Sequence, residues 1–280
     1  MIAAALITFR EGLEAALIVG ILVGYIRKTG RGQHERVLWL GVTVAVAASA
    51  VLAVAIRAVG LELEGRAEEV FEGLTMFAAT GVLTWMIFWM RYHAREVKVS
   101  LEREVERAFG RGQRWGLASV AFSAVFREGV ETALFVAAAA FASRGAPTLA
   151  GALLGLAGSA LAGYLVYTST ARLNLRTFFN VTSALLLLFA AGLLAHGVHE
   201  LQEAALLPMF IEHVWDTSAF LDETSILGQL MNALVGYNAN PSLLEVLTYW
   251  AYWGLAIFGV RRWVDQRVAR NTVRHEPIAS

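Results

Sequence analysis

Residues 8–24 read TFREGLEAALIVGILVG, and residues 125–140 read VFREGVETALFVAAAA. Each stretch sets one arginine and two glutamates into an apolar run: Arg10, Glu11 and Glu14 in the first, Arg127, Glu128 and Glu131 in the second. On a helix, positions 10, 11 and 14 fall within an arc of about 100°, with Glu11 and Glu14 one turn apart and Arg10 placed i, i+4 to Glu14. A charge at the middle of a bilayer costs about 2.5–3.5 kcal/mol, so six unpaired ones would cost on the order of 15–20 kcal/mol. Such groups must face a bundle interior, pair with one another or meet a ligand.

The composition makes the bilayer the relevant solvent. The chain has 280 residues, 57% of them hydrophobic and 16% charged, with a mean hydropathy of +0.56. A soluble domain carries more charge. The net charge is zero and gives no reason to expect a nucleic-acid partner. There is no cysteine, which excludes disulfides, thiolate metal sites and thiol catalysis. No basic n-region or small-residue cleavage site marks a secretory signal, so the opening helix is expected to stay in the mature protein.

Seven segments are apolar and long enough to cross the hydrocarbon core: 2–26, 37–59, 70–90, 115–142, 148–170, 177–198 and 243–261. Lys and Arg concentrate in 27–36, 91–114, 172–176 and 261–274, while the alternate connections hold only Arg57, Arg66 and Arg144. The positive-inside rule then puts the N-terminus outside and the C-terminus in the cytoplasm. The connection 199–242 has no Lys or Arg but carries Glu200, Glu203, Glu212, Asp216, Asp222 and Glu223, and it is expected outside as an acidic loop. Residues 91–114, with charges alternating in sign at helical spacing, read as a solvated cytoplasmic helix extending the third span.

Spans one to three (repeat one, 1–95) and four to six (repeat two, 114–198) look like two copies. RExxE opens each, and LGVTVAVAASAVLAVAIR faces LGLAGSALAGYLVYTSTAR. Three spans per copy is an odd number, so the second copy must enter from the opposite side. That is an inverted repeat, with a seventh helix at 243–262 and a cytoplasmic tail at 263–280 outside it. Glu14 lies about 18 Å into its span from one side, and Glu128 a similar depth from the other. A two-fold axis in the membrane plane would bring the motifs together. Each motif holds two carboxylates and one guanidinium, leaving a net charge of −2 between them. A hard cation held by oxygen ligands fits that deficit. The bland alternative is a set of buried ion pairs used for packing, a poor arrangement beside apolar substitutes.

The doubled REGLE and REGVE, the seven spans, the FEG opening span three and the late LVGYNANPSLLEVLTYWAYW resemble the oxidase-dependent iron permease family, over nearly the whole chain. Its bacterial branch holds the EfeU-type permeases, and its fungal members work beside a multicopper ferroxidase. The resemblance implies an all-α protein of the cytoplasmic membrane that moves iron, with ferric iron favoured. Glu11, Glu14, Glu128 and Glu131 would carry the metal, Arg10 and Arg127 would be the motif arginines, and a periplasmic iron-delivering or iron-oxidising protein would be the partner. Iron is then a transported substrate, and no permanently bound cofactor is expected.

Secondary signals lie toward the outer face. Glu68, Glu69 and Glu72 stand at the start of span three, with Glu69 and Glu72 repeating the ExxE spacing. Glu69 and Glu72 read as metal ligands and Glu68 as an outer collecting group, against the bland reading of acids favoured by a helix N-terminus. The counterpart of Glu72 in the second copy is the neutral Asn180. HGVHELQE places His196, His199, Glu200 and Glu203 where they could capture metal, against the bland reading of polar caps at an interface. Trp and Tyr near span seven fit an aromatic belt, and Gly/Ala runs fit close helix packing. No Walker or GxGxxG pattern is present, so ATP hydrolysis is not expected, nor is an enzyme. Rival readings are a transporter of another hard or borderline cation such as manganese or lead, an intramembrane di-metal enzyme, and a scaffold for a periplasmic oxidase.

Overall fold

In a computed structural model, residues 1–93, 97–110, 115–142, 147–168, 175–222 and 225–273 are described. Among these, all regular structure is helical: α1 Ile2–Lys28, a 3-10 turn Gly32–His34, α2 Glu35–Glu62, α3 Arg66–His93, α4 Val97–Gly110, α5 Gly116–Ala142, α6 Pro147–Thr168, α7 Leu175–Glu203, α8 Ile226–Val235 and α9 Leu243–Val273. Arg95, Arg111, Arg114, Arg144, Arg172, Glu223 and the residues from Arg274 onward lie outside the described residues.

Local chemistry sets several boundaries. Arg27 and Lys28 close α1, where the helix dipole favours cations, and Glu68 and Glu69 occupy the first turn of α3, where it favours anions. Pro147 stands at the first position of α6, where its missing N–H costs nothing. Ser242 opens α9 through a capping box: its Oγ accepts from Glu245 N at 3.3 Å, and Glu245 Oε1 accepts from Ser242 N at 3.1 Å.

Among the described residues, four helices are long and apolar enough to cross a membrane by length and composition: Gly32–Glu62, Arg66–Met90, Thr148–Leu165 and Phe179–Glu203. Helices α1 and α5 match them in length, with 27 residues or about 40 Å each. Their RExxE residues make them too charged for the same criterion. The bundle is apolar outward as well as inward. Val44, Val51 and Val54 of α2, Leu149, Leu153 and Leu161 of α6, and Leu255 and Phe258 of α9 are exposed, as suits helices bathed in lipid tails.

Helix α1 packs chiefly on α6, α5 on α2, and α3 on α7, while α1 and α5 also meet directly. The crossings of α1 with α6 and α5 with α2 use matching devices. A Cβ on Gly12 would collide with Ser159 of α6, and one on Gly129 would collide with Ser49 of α2. Both serines turn their hydroxyls to their own helices, Ser159 to Leu156 O and Ser49 to Ala45 O, each at 2.8 Å. The glycine of each motif is therefore where a serine of the neighbouring helix packs directly against the motif helix.

Two apolar clusters lie along the bundle. One gathers Ile7, Met76, Leu83, Phe135, Phe189 and Leu193; the other gathers Leu22, Ile26, Leu38, Leu101, Leu117 and Val125. The first is reached by the start of α1 and the end of α5, the second by the end of α1 and the start of α5. These two helices therefore run antiparallel, and both RExxE motifs fall in the layer between the clusters.

Three elements differ from expectation. Helix α4 is not simply solvated: Leu101, Val105 and Ala108 are buried under α1 and α5, and Tyr25 donates to Glu106 Oε1 at 2.9 Å. The alternating charges concealed an apolar stripe that closes that end of the bundle. The connection after α7 contains the short α8, capped by Ser225 Oγ accepting from Gly228 N at 2.9 Å and stopped by Gly236 at φ +68°. At 10 residues it is too short to cross a membrane. Helix α9 runs on to Val273, past the expected boundary at 262.

Replacing Gly129 by Ala should destabilise the protein by about 1–3 kcal/mol through overpacking, read as a lower melting temperature in detergent. Adding Ser49→Gly should restore most of the loss; an unchanged melting temperature for the single variant would show that α2 and α5 are not held at this contact.

Candidate metal centre

The layer between the apolar clusters is ionic. Arg10 is 1% exposed and its Nη1 donates to Glu11 Oε1 at 2.8 Å, while its Nη2 lies 3.1 Å from Glu14 Oε1. The same guanidinium reaches across to α3, with Nη1 3.4 Å from Met86 Sδ and Nη2 3.2 Å from Met90 Sδ. In the second motif, Arg127 donates to Glu128 Oε1 from Nε at 2.9 Å and from Nη2 at 2.6 Å, and its Nε lies 4.0 Å from Glu131 Oε1.

Tertiary structure joins the motifs. One carboxylate oxygen from each of Glu11, Glu128 and Glu131 lies within 4.8 Å of the others, and all three residues are buried. Among the described residues this is the group of three acids or histidines with metal-binding geometry. Glu14 is buried too but turns toward Arg10 rather than joining this trio.

Several buried polar atoms have no hydrogen-bond partner: Glu11 Oε2, Glu131 Oε2, Glu14 Oε1 and Arg10 Nε. A buried acceptor left without a donor normally costs about 1–3 kcal/mol, and native structures rarely keep several in one place. Here two of them belong to carboxylates already drawn together with like charge. A cation between Glu11, Glu128 and Glu131 would satisfy both and relieve the repulsion. The donors are all oxygen, the chemistry of hard and borderline cations. The sulfurs of Met86 and Met90 face the guanidinium of Arg10.

The outer candidates are arranged differently. Glu68 is exposed, and Glu69 and Glu72 are half-buried. Helices α3 and α7 cross at Gly73 and Gly197, where a Cβ on Gly73 would sit 3.1 Å from Gly197 O. Glu72 and His196 each immediately precede one of those glycines. His196 Nδ1 is 3.0 Å from Gly192 O, and its Nε2 is 3.2 Å from Asn232 Nδ2 of α8. His199 is shared by two carboxylates, Glu245 at 3.1 Å and Glu203 at 3.3 Å. Glu200 is buried, and Asn180 is exposed. His196 and His199 thus tie α7 to α8 and α9, through Asn232 and Glu245.

Sequence reasoning missed some of these participants. Met86, Met90 and Trp89 carry no motif, and only their place beside Arg10 and Arg127 marks them. Glu245 was legible as Ser-x-x-Glu, a capping signal. The outer connection, expected to be simply acidic, also exposes Phe210, Trp215 and Phe220, the last at 92%. In the same connection Asp216 accepts from Ser218 N and Oγ, which holds its carboxyl below the usual carboxylate range.

Membrane-length helices with apolar outer faces around a buried ionic layer define a multi-pass membrane protein. The Iron permease FTR1 family matches residues 1–267, and the chain belongs to that family. It is similar to the Ferrous iron permease EfeU of Escherichia coli O6:K15:H31 (strain 536 / UPEC), 42% identical over 249 residues that cover 88% of this chain and 90% of that one. It is also similar to the Ferrous iron permease EfeU of Yersinia pestis, 39% identical over 249 residues, 88% of each chain. No solved structure matches it. The chain is an iron permease, a transporter and not an enzyme.

Arg10→Met should strongly destabilise the folded protein, because it leaves Glu11 and Glu14 buried beside Glu128 without their guanidinium; breaking a buried pair this way costs about 3–5 kcal/mol. Combining it with Glu11→Gln should recover part of that loss in a double-mutant cycle. Strict additivity of the two would show that the pair is not coupled.

Proposed function

We propose that this permease carries ferrous iron inward by binding it between Glu11, Glu128 and Glu131, with Glu14 sharing Arg10 and completing the set of exchangeable carboxylates. The observation that carries this reading is the convergence of three buried carboxylates from two helices, two of them with unpartnered oxygens. Two features favour ferrous over the ferric iron expected from the family resemblance. The relatives are named ferrous permeases, and a divalent ion balances the −2 left by the two motifs. Two charges moving inward would gain about 4.6 kcal/mol per 100 mV of membrane potential.

The chain crosses the membrane seven times in this reading, with α1, α2, α3, α5, α6, α7 and α9 as spans. The first six form an inverted repeat, with the N-terminus outside. Supporting it are the antiparallel course of α1 and α5 and the matched contacts of Gly12 on Ser159 and Gly129 on Ser49. The repeats exchange access to a site near the midplane. Glu68, Glu69 and Glu72 with His196, His199, Glu200 and Glu203 collect the ion outside. An extracytoplasmic partner delivers it against the face that exposes Phe210, Trp215 and Phe220.

The test is iron-55 uptake into proteoliposomes by wild type, Glu14→Gln and Glu131→Gln, with iron offered in each oxidation state. Uptake should be confined to ferrous iron and fall at least tenfold in both folded variants. Undiminished uptake by both would remove the glutamates from the path, and uptake of ferric iron alone would reverse the assignment. For the partner, Phe210→Ser with Phe220→Ser should lower cellular uptake at scarce iron; equal cellular uptake would exclude that face.

A further inference from the structure

The two motifs are alike in sequence and unlike in their surroundings, and the difference falls on the arginines. Arg10 is enclosed, with two carboxylates on one side and two thioethers of α3 on the other. Moving it would strand Glu11 and Glu14 without a countercharge. The Arg127 side chain is 48% exposed and holds firmly to one carboxylate, that of Glu128. Its guanidinium carbon already stands 5.5 Å from the ring centre of Trp89. An aromatic face is a resting place for a guanidinium that has left a carboxylate.

We propose that Arg127 is the exchangeable countercharge of the transport site. The entering cation displaces it from Glu128, it withdraws over Trp89, and it returns when the cation leaves, while Arg10 stays fixed. This deepens the iron-binding reading and rests on it. With Arg127 on Glu128, two carboxylates of the trio are paired with an arginine, Glu11 with Arg10 and Glu128 with Arg127, and Glu131 has a guanidinium no closer than 4.0 Å. With Arg127 withdrawn, all three face the ion, and the site regains an internal cation as soon as the ion departs. Binding is thereby strong enough to strip water and weak enough to release. Arg127 and Trp89 are positioning residues here, since they act on the ion through the carboxylates.

The two substitutions should act in opposite directions. Arg127→Gln removes the competitor and should tighten equilibrium binding of ferrous iron about tenfold or more, while slowing net uptake because nothing displaces the ion. Trp89→Leu removes the resting place and should weaken binding about threefold to tenfold. Binding is measured anaerobically with iron-55 on the purified full chain in detergent, beside wild type and Glu131→Gln. Tightening by one variant and weakening by the other supports the exchange, because a merely structural role would weaken both. Weaker or unchanged binding by Arg127→Gln overturns it, and should that variant fail to fold, unchanged binding by Trp89→Leu does so alone. If wild type binds and Glu131→Gln does not, the site stands whatever becomes of the exchange. If wild type does not bind, both readings fall.

Discussion

The structure depends on keeping six ionisable groups in the middle of an apolar bundle. Each would be expelled alone, since the surrounding side chains offer nothing to solvate a charge. Together they form a layer in which each guanidinium is shared by the carboxylates of its own helix. The layer has to be sealed, and apolar clusters above and below do that. It also has to be narrow, which accounts for the glycine inside each motif. Ser159 and Ser49 pack directly against Gly12 and Gly129, where any larger residue would collide with them.

The pairing is deliberately incomplete in physical terms. Four carboxylates face two guanidiniums, and three of the four, Glu11, Glu128 and Glu131, are drawn together. A structure optimised for stability alone would place apolar residues here. Unpartnered oxygens of Glu11 and Glu131 are concentrated in one spot. The soft sulfurs of Met86 and Met90 engage Arg10 and help to hold its guanidinium in place. The outer histidines and glutamates lie in a different setting, a hydrogen-bonded seam that also anchors α8 and α9.

Much of this was legible in the sequence. Apolar length marked the helices, and the doubled RExxE marked the pair that carries the charges. Helical spacing placed Arg10 over Glu14, a contact the fold contains at 3.1 Å. Less legible were α4, whose charges hid an apolar stripe, and α8, too short to register against a bilayer. The aromatic side chains of the outer connection were masked by its acids. In each case the sequence pattern described one face of an element, and the packing used another.

Sequence by itself determined that this chain is an all-helical membrane protein with two equivalent charged motifs, because hydropathy and spacing are properties of consecutive residues. Only the tertiary structure decided that Glu11 joins Glu128 and Glu131 while Glu14 turns aside to Arg10. It alone decided that Arg10 is sealed and Arg127 is half-open beside Trp89. Those outcomes depend on which helix lies against which: α3 offers the thioethers of Met86 and Met90 to one motif arginine and the ring of Trp89 to the other. A local repeat can specify the charges, but the surroundings that decide which of them can move come from residues far away in the chain.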